Sequence, residues 1–204
     1  MRPRDLVQTV LLCVTGGAAD AISYLRYGTF VGAMSGNTVL LGIDLARRRL
    51  DEAGYHAGII AVFFAAIVVT RTLLELKLSP SLPLVLTALL LGGSELFTGQ
   101  WSAAIVAAAL GMQNAAIRSI GGVSINTAFI TGDLLRLGAA VPEAAQPRQQ
   151  TTLAVLTTAW IAYASGAVVG AFTLHLARHP MIVPAVFALI AAGIELAAPD
   201  PHKP

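Results

Sequence analysis

Thr29-Phe-Val-Gly-Ala-Met-Ser-Gly-Asn-Thr38 lies in an apolar chain yet does not read as a smooth membrane helix. Ser35, Gly36, Asn37 and Thr38 interrupt a run that turns apolar again from Val39. Val123-Ser-Ile-Asn-Thr-Ala-Phe-Ile-Thr-Gly-Asp133 repeats the pattern in the second half of the chain. Unsatisfied backbone is costly in hydrocarbon, so a stretch of this kind is normally shielded by protein. Each stretch is expected to be a broken segment: extended chain, then a half-helix starting near Gly36 or Gly132.

Working outward, the surroundings are strongly apolar. Of 204 residues, 56% are hydrophobic and 12% charged, whereas a soluble domain is about a quarter charged. Too little polar surface remains to face water, so the lipid bilayer is the first partner expected. Apolar segments fall near residues 5–25, 29–46, 55–76, 82–98, 101–118, 123–140, 151–175 and 181–197. The fold expected is an all-α membrane protein in one integral domain. Arg2 and Arg4 ahead of Leu6–Val14 resemble a secretory signal, but the equally apolar chain that follows favours a retained first segment. No basic stripe carries interleaved aromatics, so nucleic acid is not an expected partner.

The two broken segments belong to a wider duplication. Gly17-Ala-Ala-Asp20-Ala21 matches Gly111-Met-Gln-Asn114-Ala115. Ser35-Gly36-Asn37-Thr38 with Gly42 matches Thr131-Gly132-Asp133 with Gly138. Ala66-Ile-Val-Val69 loosely matches Ala167-Val-Val-Gly170, and Pro83 to Glu95 parallels Pro184 to Glu195. The order of matches gives two four-segment repeats, about 1–98 and 101–198, with one broken segment in each. Four crossings per repeat make the halves parallel, and three make them inverted. The arginine distribution, with Arg47-Arg48-Arg49 in one turn, argues for eight crossings over six and for cytoplasmic termini.

Candidate site residues follow from polarity inside the segments. Asp20 lies about fifteen residues into the first segment, where a carboxylate is a functional candidate by default. It could bind a cation or carry a proton. It could equally pair with Arg26 or Arg118, or sit at the interface. Ser35, Gly36, Asn37 and Thr38 stand at one half-helix start and Thr131, Gly132 and Asp133 at the other. Such helix ends can orient a ligand, but the same residue types are ordinary N-caps. Gln113, Asn114 and Asn126 are neutral polar groups that either bind solute or join helices. Glu95 and Glu195 are expected at the interface.

Enzyme signatures are poor. Gly32-Ala-Met-Ser35-Gly36 lacks the nucleophile-elbow spacing. His175 and His179 lack the intervening Glu of a zinc protease. The single cysteine, Cys13, excludes a disulfide framework or cysteine-based zinc site. Neither enzyme activity, metal nor cofactor is expected.

Together, Gly17-Ala-Ala-Asp20-Ala21, Phe30 with Ser35-Gly36-Asn37-Thr38, Gly111-Met-Gln113-Asn114-Ala115 and Thr131-Gly132 resemble the YoaK-type family of uncharacterised bacterial membrane proteins. The resemblance spans nearly the whole chain. It implies a bacterial cytoplasmic membrane location and little chemistry. Ser35 stands where the family usually has Thr, and Asp133 where it is usually uncharged. The architecture is also similar to the core of the uracil and sulfate transporter fold. The function expected is a secondary transporter or channel for a small solute, with its site between the repeats, and a homodimer is a possible assembly. The alternative is a membrane-embedded interaction or assembly protein.

Overall fold

The computed structural model describes residues 3–116, 119–120, 123–124, 127 and 130–197. The helices are α1 (Pro3–Tyr27), α2 (Met34–Ala46), α3 (Leu50–Glu75), α4 (Ser81–Gly93), α5 (Gly99–Ala116), α6 (Ile130–Ala140), α7 (Pro147–Leu176) and α8 (Ile182–Leu196). A two-residue antiparallel pair, β1 (Ser119–Ile120) with β2 (Val123–Ser124), precedes α6. This is an all-α membrane fold. Helices Pro3–Tyr27, Leu50–Glu75 and Gln149–Leu176 are long and apolar enough to cross a bilayer, and Ser81–Leu96 and Ile182–Leu196 are shorter apolar helices. Phe64, Val68, Trp160 and Phe172 face outward, as lipid contact requires.

Close backbone approach organises the bundle. A Cβ added at Gly17 would lie 2.0 Å from the Tyr163 carbonyl oxygen, and one at Gly166 would lie 2.3 Å from the Val14 oxygen. Gly170 meets Ala18 in the same way, at 2.5 Å. Successive contacts of Val14 with Gly166 and Ala18 with Gly170 mean that α1 and α7 run parallel. Without a hydrophobic force between helices in lipid, such small-residue contacts carry much of the association. On the other side Gly111 of α5 meets the Phe63 oxygen and Ala66 Cβ of α3, at 2.6 and 2.9 Å.

The remaining packing comes in matched sets. α1 packs on α8 as α5 packs on α4, α4 packs on α8, and α2 and α6 pack on α3 and α7 respectively. Buried hydroxyls tie two of these contacts. Thr15 Oγ1 donates to the Pro184 oxygen at 3.4 Å, and Thr87 Oγ1 donates to the Ala109 oxygen at 3.0 Å.

Side-chain bonds also fix directions. Tyr27, ending α1, donates to Ser102 near the start of α5 at 2.8 Å, while Gln113 near the end of α5 reaches the Leu12 oxygen at 3.0 Å. Thus α1 and α5 are antiparallel. Glu95, in the 3₁₀ turn Ser94–Leu96 after α4, accepts from Arg26 at 3.1 and 3.2 Å and from the Met181 N–H at 2.8 Å. Glu95 is therefore the junction of three elements at one end of the bundle, and its side chain is only 7% exposed. At the opposite end Gln8 donates to the Ala191 oxygen and to Glu195.

The path of α2 leads back towards the end of α1. Its start is bonded to Asp20, about 12 Å along α1 from Gly28 at the rise of an α-helix. Its end returns to Gly28. His56 Nδ1 lies 3.0 Å from Asp44 Oδ2, and His56 Nε2 lies 3.4 Å from the Gly28 oxygen. A continued crossing would have carried Asp44 far from Gly28. At 13 residues, α2 spans about 20 Å. Arg49 pairs with the buried Asp44, so part of the charge of Arg47-Arg48-Arg49 is neutralised within the protein.

Candidate functional site: two fastened half-helix starts

The first cluster surrounds Asp20, which is 3% exposed on α1. Its Oδ1 accepts from the N–H groups of Val31 and Gly32, both at 2.7 Å, with the Ala33 N–H at 3.5 Å. Its Oδ2 accepts from the Tyr163 hydroxyl of α7. Backbone N–H groups ahead of a helix lack intrahelical partners, and a carboxylate is a strong acceptor for them. Asp20 therefore supplies from a neighbouring helix what a local cap normally supplies. α2 itself has no side-chain cap bond from its preceding residue, Ala33.

Asn37 completes the fastening from the other side. It is fully buried. Its Oδ1 accepts from the Phe30 N–H at 2.9 Å and from Thr29 Oγ1 at 3.0 Å, while its Nδ2 donates to the Phe30 oxygen at 2.6 Å. The side-chain amide thus satisfies both backbone groups of Phe30, as a neighbouring strand would. Gly36 makes room for this. A Cβ there would lie 2.7 Å from the Phe30 ring. The half-helix begins at Met34, two residues before Gly36. Glycine is needed at 36 for the ring, not for starting the helix.

The second cluster is at the end of α5. Gln113 Nε2 donates to the Leu12 oxygen and to Thr127 Oγ1, each at 3.0 Å. Thr127 Oγ1 in turn donates to Asn114 Oδ1 at 3.3 Å. Gln113 is fully buried, and Thr127 is 1% exposed. Asp133, in the first turn of α6, is 1% exposed and lies 3.4 Å from Arg136. α6 starts at Ile130, two residues before Gly132.

The candidate residues are thus divided between two places. Asp20, Gly36 and Asn37 belong to the first cluster, and Gln113 and Asn114 to the second. Leu12 and Asp20 mark their levels on α1, about 12 Å apart by helical rise. Ser35, Thr38 and Thr131 are on exposed faces, and Gly132 is half-buried; Thr38 Oγ1 bonds the Met34 oxygen within its own helix. Asn126 and Arg118 lie outside the described residues. Arg26 does not reach Asp20, since its guanidinium is held by Glu95.

Sequence reasoning missed Tyr163, Thr127 and the Asp44–His56 pair. A tyrosine within an apolar helix carries no local signal of a partner 143 positions away. Thr127 had one: four residues before Thr131, it occupies the place that Val31 holds relative to Ser35. The structural parallel is close, because Asp20 binds the backbone at Val31 and Asn114 binds Thr127.

A family model described as a protein of unknown function, DUF1275, matches residues 8–194. The chain belongs to the DUF1275 family. A UPF0700 transmembrane protein of Rhizobium meliloti (strain 1021) is 26% identical over 177 residues, covering 85% of this chain and 78% of that protein. No solved structure matches. These findings agree with the YoaK-type resemblance and with a multi-pass membrane protein of an uncharacterised family. In this DUF1275 chain the matched stretch contains every element that builds both clusters.

Proposed function

We propose that this protein moves a small solute across the bacterial cytoplasmic membrane, as a secondary transporter or a channel. The observation that carries this reading is the path of the two broken segments. Each half-helix starts beside a polar residue deep on α1 or α5. α2 then returns to the end of the bundle where α1 finishes, and α6 packs back along the first part of α7 through Leu137. In this reading the two halves are inverted relative to one another, six segments cross, and α2 and α6 re-enter from opposite faces. Paired broken helices in inverted halves are the arrangement in which many transporters hold solute near mid-depth.

The antiparallel α1 and α5, which carry the matched Gly17–Asp20 and Gly111–Asn114 stretches, support that inversion. Asp20 serves as a fastener in this account. Its carboxylate is engaged by two short backbone bonds and Tyr163, so coupling is not assigned to it.

The test is reconstitution into liposomes, with stopped-flow light scattering during osmotic challenge by urea, acetamide, methylammonium chloride or sodium formate. Transport predicts that at least one probe crosses faster than in protein-free liposomes. Equal rates for all would overturn the reading. The full engagement of Asp20 favours one alternative, a membrane-embedded assembly protein whose polar groups only join helices. Equal rates together with a stable complex would support that alternative.

A further inference from the structure

We propose that the contact with solute is made at Gln113 Oε1, beside Thr127 and Asn114, and that the solute is a small hydrogen-bond donor, neutral or singly cationic, and not an anion. This names the solute class for the transport reading above and rests on it.

The orientation of the Gln113 amide is fixed by its partners. The Leu12 carbonyl can only accept, so the atom facing it at 3.0 Å is the donor Nε2. The same nitrogen donates to Thr127, whose hydroxyl proton goes on to Asn114 Oδ1. Oε1 is left as a buried acceptor without a hydrogen-bond partner among the described residues. An unpaired buried acceptor is costly and calls for a donor. The matching position in the first half is Ala19, which has no polar side chain. The two halves therefore differ at this matched position: only the second has an amide acceptor here.

The carboxylates at the two half-helix starts weigh against the opposite class. The N–H groups leading into α2 already face the Asp20 carboxylate. The first turn of α6 carries Asp133, buried to 1% exposure. A half-helix start is ordinarily an anion site, but here each start has its own carboxylate. An incoming anion would meet like charge where little water screens it.

The experiment is thermal unfolding of the purified protein in detergent with acetamide, methylammonium chloride or sodium formate, for wild type and Gln113→Met. Methionine has similar length and volume but lacks the amide acceptor. At ten times its dissociation constant, a bound donor should raise the wild-type Tm by about 3 °C. The rise should be absent in Gln113→Met, and formate should raise neither. A formate-induced rise in wild type overturns the proposal whether or not the variant folds. So does a response retained in Gln113→Met, or no response to either donor. Flux of formate in liposomes without donor binding would discard this site and keep transport. Donor binding without any flux would keep the site and discard transport.

Discussion

Two matched positions fasten the broken segments differently: a carboxylate, Asp20, at the first and an amide, Asn114, at the second. Asp20 reaches across from α1 to two backbone N–H groups, and Asn37 closes both backbone groups of Phe30. At the matched place in the other half, Asn114 takes a hydroxyl bond from Thr127, and Gln113 spans to Leu12. Charge-assisted bonds are roughly twice as strong as neutral ones. One framework therefore holds one start by a carboxylate engaged through both oxygens, and the other by a chain that includes an unpaired buried acceptor. The unpaired amide oxygen beside the second start is the reason solute contact is proposed there.

The comparison can be broken most severely at the helix crossings beneath each segment. Gly17→Val drives a side chain into the Tyr163 carbonyl, and Gly111→Val does the same at Phe63. Overpacking against backbone should cost about 3 kcal/mol in either case. Loss of folded protein in size-exclusion chromatography of both variants checks it, and survival of Gly17→Val would show that α1 and α7 are not in such close contact.

Next in size, Asp20→Ala strands two buried N–H groups. At roughly 1–3 kcal/mol for each unsatisfied group, the loss should be about 3 kcal/mol, against about 1 kcal/mol for the neutral Thr127 bond that Asn114→Ala removes. Thermal unfolding of the two variants side by side measures the difference. Equal losses would remove the contrast between the segments. Asn37→Ala should fall between them, at about 2 kcal/mol, and should expose the Phe30 amide to faster hydrogen exchange. The smallest effect is expected at the rim: Arg26→Ala leaves Glu95 its Met181 N–H bond and should cost about 1 kcal/mol or less.

Much of the fold was legible in the sequence for a physical reason. Membrane segments announce themselves through uninterrupted apolar runs, and the breaks at 29–38 and 123–133 stood out against them. Asp20 was legible as a buried carboxylate because charge is rare at such depth. Its purpose was not legible, because the partners are backbone groups at 31–33 and a tyrosine of α7 brought in by folding. The direction of α2 was hidden for a related reason. Hydropathy registers α2 as apolar without recording direction, and only the Asp44–His56–Gly28 contact reveals that the helix turns back.

That turn gives the most direct test of the central claim. Cys13 is the only cysteine in the sequence and is buried, so Cys13→Ala provides a background for single-cysteine labelling. Arg48→Cys marks the turn between α2 and α3, and Ala145→Cys the turn between α6 and α7. A membrane-impermeant maleimide applied to sealed vesicles of known orientation should label one and spare the other, because inverted halves put the two turns on opposite faces. Labelling of both from the same side would mean that α2 and α6 cross the membrane fully, and would contradict the inverted arrangement.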